Sequence, residues 1–136
     1  MFQKEVAARI MAVHNTPDFG RLSVICQWKA NIKKLFDLPP GAFLPSPKVS
    51  STVLQFTPRI PREDVSWEAL ERVTKAAFSQ RRKMLRSSLK RFYGTPHVLL
   101  EKANIDPERR AESLSVQEFC TLAALWEIMD KQESKI

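Results

Sequence analysis

Residues 51–62 read STVLQFTPRIPR, and the fold class turns on how this stretch divides. Thr52, Leu54 and Phe56 alternate with Val53 and Gln55, a period of two that predicts a strand buried on at least one face. Two prolines then fall within four residues, Pro58 and Pro61, so Thr57 to Arg62 reads as a linker. Behind it the chain alternates short elements; ahead of it, from about residue 63, every periodic stretch is helical. The expected organisation is a mixed α/β region over 1–58, a linker over 59–65 and a small all-α region over 66–136.

Working back from that stretch, Gln3 to Val13 predicts a helix with Val6, Ile10 and Val13 on one face. Thr16 to Gly20 predicts a turn. Leu22 to Trp28 fits a strand or a helix equally. Ile32 to Leu38 predicts a short strand stopped by Pro39 and Pro40. Working forward, Ser66 is an expected N-cap, with Glu68 and Glu71 near the positive end of the helix dipole and Trp67, Leu70, Val73 and Phe78 on the apolar face. A break near Ser79 leads into a basic segment, Arg81 to Phe92, read as helical. Phe78, Leu85, Leu89 and Phe92 form its stripe, and Arg82, Arg86 and Lys90 an adjacent row at i, i+4, i+8, widened by Lys83. Gly94 to Pro96 ends it, His97 to Ala103 forms a short helix, and Asp106-Pro107 breaks the chain again. Ser115 and Glu118 make a capping box for a last helix with Phe119, Leu122, Ala123, Trp126 and Met129 inward.

Composition narrows the function. A chain of 136 residues with 43% hydrophobic content can build a core, and no apolar run approaches the ~20 residues of a membrane helix. Nothing at the N-terminus resembles a signal peptide, and two cysteines, Cys26 and Cys120, read as small buried hydrophobes in a reducing cytoplasm. Only three glycines occur, Gly20, Gly41 and Gly94, too dispersed for a dinucleotide or phosphate loop. His14 and His97 lack any zinc-binding context and read as surface or helix-end residues, so no metal is expected. There is no self-sufficient catalytic constellation.

The net charge of +7 is concentrated. Eight basic residues and no acid lie between Arg72 and Arg91, leaving the rest of the chain with fourteen basic against fifteen acidic residues. A charge run is ordinarily a solvated face, but such a face mixes signs. A field of one sign attracts a polyanion, and nucleic acid is the expected partner of Arg81, Arg82, Lys83, Arg86 and Lys90. Trp67, Phe92 and Trp126 sit at helical spacing among apolar residues and read as core. Pro39 to Lys48 holds four prolines around Phe43. By pattern, Phe43 is either tucked into the core or presented on a stiff loop to a planar ligand, and both readings stay open.

With its neighbours, that loop resembles the ribosomal RNA adenine dimethylase family, on its bacterial small-subunit branch. The resembling stretches are QKEVAARI at 3–10, GRLSVICQ at 20–27, PPGAFLPSPKVSSTV at 39–53, AFSQRRKMLRSSL at 77–89 and RAESLSVQEF at 110–119, in the family's order. Ser50 departs from the acid usual after PKV. The Gly-rich S-adenosylmethionine loop, the acidic ribose contact and the Asn-Leu-Pro-Tyr motif are absent. The chain therefore resembles the C-terminal half of the enzyme: the last part of a Rossmann-like α/β methyltransferase domain, followed by the small all-α domain.

The resemblance settles Leu22 to Trp28 toward helix. It implies an S-adenosylmethionine-dependent dimethylation of two adjacent adenines in small-subunit ribosomal RNA, with the immature subunit as partner. Phe43 would stack on the extruded adenine, Arg81, Arg82, Lys83, Arg86 and Lys90 would dock the RNA, and no residue here would bind the cofactor. The rival reading is a stand-alone, non-enzymatic RNA- or DNA-binding helical module.

Overall fold

The computed structural model describes residues 1–42, 50–60 and 64–134. In chain order they form β1 (Phe2–Gln3), α1 (Lys4–Met11), α2 (Arg21–Lys29), β2 (Ala30–Leu38), a single 3-10 turn at Pro40–Ala42 and β3 (Ser51–Pro58). There follow α3 (Trp67–Phe78), α4 (Leu85–Ser88), α5 (Pro96–Lys102), a second 3-10 turn at Ala111–Ser113 and α6 (Val116–Ser134). The sheet order is β1-β3-β2. Both pairings are antiparallel, so β1 and β2 run parallel to each other on either side of β3. A bulge between Lys34 and Phe36 breaks the β2–β3 register.

Helix α1 covers the sheet through a small core of Ala7, Ile10 and Leu54, with Phe2, Val6, Met11, Cys26 and Ile32 packed around it. Val13, expected on that face, is exposed, because the helix ends at Met11 and Ala12 is already extended. The carbonyls left over at the end of α1 are satisfied by α2. Gln27 Nε2 donates to the carbonyls of Ile10 at 2.9 Å and Ala12 at 2.8 Å, and the buried Ser23 hydroxyl donates to the Arg9 carbonyl.

Helix α2 explains its own ambiguity in sequence. Cys26 packs toward the small core, whereas Val24 and Trp28 enter the large one. A helix used on two sides has no single apolar stripe. The large core joins Ala12, Phe19, Val24 and Trp28 to α3, α4, α5 and α6, so packing crosses the expected 59–65 connection. Trp28 and Trp67 stack across it with ring centroids 6.3 Å apart. Trp67, expected in the core, is 46% exposed at the first turn of α3.

The helix starts follow the local sequence. The Ser66 side chain accepts the Ala69 N–H at 3.1 Å. The Ser115–Glu118 capping box is complete, with Glu118 N–H donating to Ser115 Oγ at 3.1 Å and Ser115 N–H to Glu118 Oε1 at 3.0 Å. Phe119, Leu122, Ala123, Trp126 and Met129 of α6 are all buried, as their spacing predicts.

Candidate nucleic-acid interface

The basic segment departs from the continuous helix expected of it. Helix α3 stops at Phe78, capped by Ser79, and Met84 is extended and bridges antiparallel to Arg110. The Leu85 N–H donates to the Arg109 carbonyl at 2.8 Å and the Arg86 N–H to the Pro107 carbonyl at 3.1 Å. A helix through this point would send both amides to carbonyls four residues back; the turn at 107–110 takes them instead. Only Leu85–Ser88 is helical. Arg82 lies before this helix and Lys90 beyond it, so the expected row of Arg82, Arg86 and Lys90 on one helix face does not form. The apolar reading of the segment stands: Leu85 and Leu89 are fully buried, and Phe92 packs on Trp126 with centroids 4.8 Å apart.

The five cations expected on one face have different occupations. Arg81 turns inward. Its guanidinium donates to the carbonyls of Pro17, at 2.8 Å, and Phe19, lies 3.7 Å from Glu112, and sits over the Phe78 ring at 5.6 Å. It clamps the turn between α1 and α2 onto the helices. Arg82, Lys83, Arg86 and Lys90 are exposed, and none has an ion-pair partner among the described residues.

These four side chains line three neighbouring clefts. Arg82 faces Asn15, Arg110 and Glu112 in a cleft of about 760 Å³ at the α1–α2 turn. Arg86 and Lys90 line a second of about 760 Å³ with His97, Asp106 and Glu108. Lys83, Lys90 and Arg91 line a third of about 570 Å³ with Gln80. Arg110 was not legible as part of this surface, because Glu108 and Glu112 flank it in sequence and hide it in mixed charge. The Met84–Arg110 bridge brings it there.

The turn at 107–110 is held by Arg109, which binds Glu118 through both carboxylate oxygens, at 2.5 and 3.0 Å. That hydrogen bonding, aided by Ser115, holds the Glu118 carboxyl below its ordinary range against the opposing effect of burial. Burial pushes the Cys26 thiol up, away from the reactive thiolate. Among the described residues no group of three or more His, Cys, Asp or Glu could hold a metal ion, and no helix is long and apolar enough to cross a membrane. Phe43 lies outside the described residues.

The model of the family described as Ribosomal RNA adenine dimethylase matches residues 1–127. The chain belongs to that family. Among its curated relatives, Ribosomal RNA small subunit methyltransferase A of Rhizobium etli (strain CIAT 652) is 56% identical over 123 residues, covering 90% of this chain and 44% of the relative. The protein of the same name from Afipia carboxidovorans is 52% identical over the same shares. The chain thus spans less than half the length of these curated relatives. The dimethylase fold extends to a dimethyladenosine transferase from Plasmodium falciparum at a TM-score of 0.79 and 22% identity, covering 96% of this chain and 56% of the other. A 23S rRNA methyltransferase aligns at a TM-score of 0.55 and 20% identity, over 92% of this chain and 52% of the other.

Proposed function

We propose that this chain is the C-terminal, RNA-docking portion of an S-adenosylmethionine-dependent dimethyltransferase that acts on two adjacent adenines of small-subunit ribosomal RNA during ribosome maturation. The observation that carries the reading is the acid-free stretch 72–91, whose Arg82, Lys83, Arg86 and Lys90 are exposed and unpaired among the described residues, in a chain of the adenine dimethylase family. Structured RNA hides its major groove, so docking relies on phosphates and shape, and a concentration of exposed cations serves that task. Arg81 contributes by holding the α1–α2 turn under this surface. Phe43, in the proline-rich stretch 39–48 of the sequence, supplies the face on which the extruded adenine stacks, an interaction worth ~1–3 kcal/mol.

The residues at hand do not fit the methyl donor. Gly20, Gly41 and Gly94 are scattered, and none adopts a left-handed conformation that would let the backbone wrap an adenosyl group. No step of methyl transfer is assigned to this chain, which by itself docks RNA without modifying it. The 59–65 connection divides the methyltransferase-domain portion, 1–58, from the docking portion, 66–136, and α2 packs into the latter.

The test is the salt dependence of binding to a small-subunit RNA fragment. Four phosphate contacts predict a slope of log affinity against log salt of about −3, at roughly −0.7 to −0.9 per contact. Replacing Arg82, Arg86 and Lys90 together by glutamine flattens it by about two units. A matched set at Arg59, Arg62 and Lys131, outside the acid-free stretch 72–91, changes it much less. Equal losses from the two sets would reduce the surface to net charge and sink the docking role.

A further inference from the structure

The cleft beside α4 has more than cations in it. Arg86 and Lys90 come from α4 and the turn after it, His97 from the start of α5, and Asp106 and Glu108 from the turn that follows α5. At about 760 Å³ it falls within the ~300–1,000 Å³ range of small-molecule sites. Its frame is held: the Arg86 N–H donates to the Pro107 carbonyl, and Asp106 Oδ1 accepts the Glu108 N–H at 2.9 Å. Among the described residues the two cations and the two carboxylates form no ion pairs with one another. Lys90 also lines the adjoining cleft with Lys83 and Arg91, so cations continue away from the site on one side.

A paired RNA backbone presents phosphate anions and ribose hydroxyls to such a surface, and two carboxylates in the middle of it would repel the phosphates. An unpaired base presents something else. Carboxylates accept from the exocyclic amine of cytosine, and a histidine ring offers a stacking face to any base. We infer that this cleft takes one unpaired, amine-bearing nucleotide of the bound RNA, its phosphate on Arg86 and Lys90 and its base amine on Asp106 and Glu108. Flanking phosphates follow Lys83 and Arg91. The inference rests on the RNA-docking reading above and adds a readout of RNA structure to it.

The experiment compares the 136-residue chain on two RNA duplexes that differ by a single bulged cytidine, with a bulged uridine as the control lacking an amine. The bulged-cytidine duplex binds about tenfold tighter than the paired one, and the bulged uridine falls between them. Asp106→Asn with Glu108→Gln keeps the Asp106 acceptor for the turn and removes both charges. This variant binds the paired duplex at least as tightly as the parent but loses the preference for the bulge. His97→Ala, which leaves the charges alone, lowers the preference by about threefold and decides the matter if the double variant fails to fold. A parent that binds both duplexes equally, or a folded double variant that keeps its preference, overturns the nucleotide site while RNA docking stands. No binding of either duplex at low salt overturns the docking reading itself.

Discussion

At the scale of single residues, the difference between Arg81 and Arg82 is the most instructive. They are adjacent in sequence and alike in chemistry, yet one guanidinium is spent on the carbonyls of Pro17 and Phe19 and the other faces solvent. Arg81→Ala is therefore expected to cost about 1–2 kcal/mol of stability in a denaturant titration, and Arg82→Ala less than about 0.5. The RNA affinities should rank the other way, Arg82→Ala losing about one unit of salt slope. Glu118 carries a second residue-scale prediction. Its folded carboxyl sits below the ordinary range, chiefly because Arg109 hydrogen-bonds it, so its contribution is present at neutral pH and is lost as pH falls through the lowered value. Both partners are about one-third exposed, which discounts the pair. Glu118→Gln, which can still cap α6, should cost about 0.5–1 kcal/mol at neutral pH. The gap to the parent should close in acid; a gap that persists there would assign the loss to packing.

At the scale of elements, local signals and tertiary partners compete for the same backbone groups. The N-caps of α3 and α6 won locally because donor and acceptor lie three residues apart, at Ser66–Ala69 and Ser115–Glu118. The basic segment lost. Its apolar stripe was real, and Leu85 and Leu89 are fully buried. The helix implied by that stripe nevertheless breaks at Met84, where residues 107–110 supply carbonyls at 2.8 and 3.1 Å to the next two amides. A carbonyl from a distant segment satisfies an N–H as well as a local one, and periodicity does not register the choice. Helix α2 shows the complementary case, since burial between two cores erased the stripe that would have announced it.

At the scale of the whole molecule, the large core does not respect the proline-marked connection. Ala12, Phe19, Val24 and Trp28 precede it and pack with residues that follow. Phe19 is 1% exposed and meets Phe78 and Phe119 with centroids 6.2 and 6.5 Å away. A chain beginning at residue 59 would leave that face of α3 and α6 bare, and removing a buried phenylalanine alone costs about 3–5 kcal/mol. Such a chain should lack the single cooperative thermal transition expected of the full 136 residues by calorimetry. A cooperative transition retained by 59–136 would instead make the helical region an independent folding unit.

The features that sequence determined by itself are those whose causes lie within a turn or a strand pair. They are the caps, the two strands expected at Ile32 to Leu38 and Ser51 to Phe56, the inward face of α6, and the acid-free run of charge. The motifs around Phe43 and Arg81 to Arg86 carried the family, since their order survives in linear text. Which cations are free, which cleft each one lines, and that Arg110 joins them were decided only in three dimensions. Arg81 spans more than sixty residues to its carbonyl partners, and Arg110 reaches the surface through a bridge to Met84. Contacts at that separation depend on how whole elements pack, and a side chain's charge is the same whether its partner is a phosphate, a carboxylate or its own backbone.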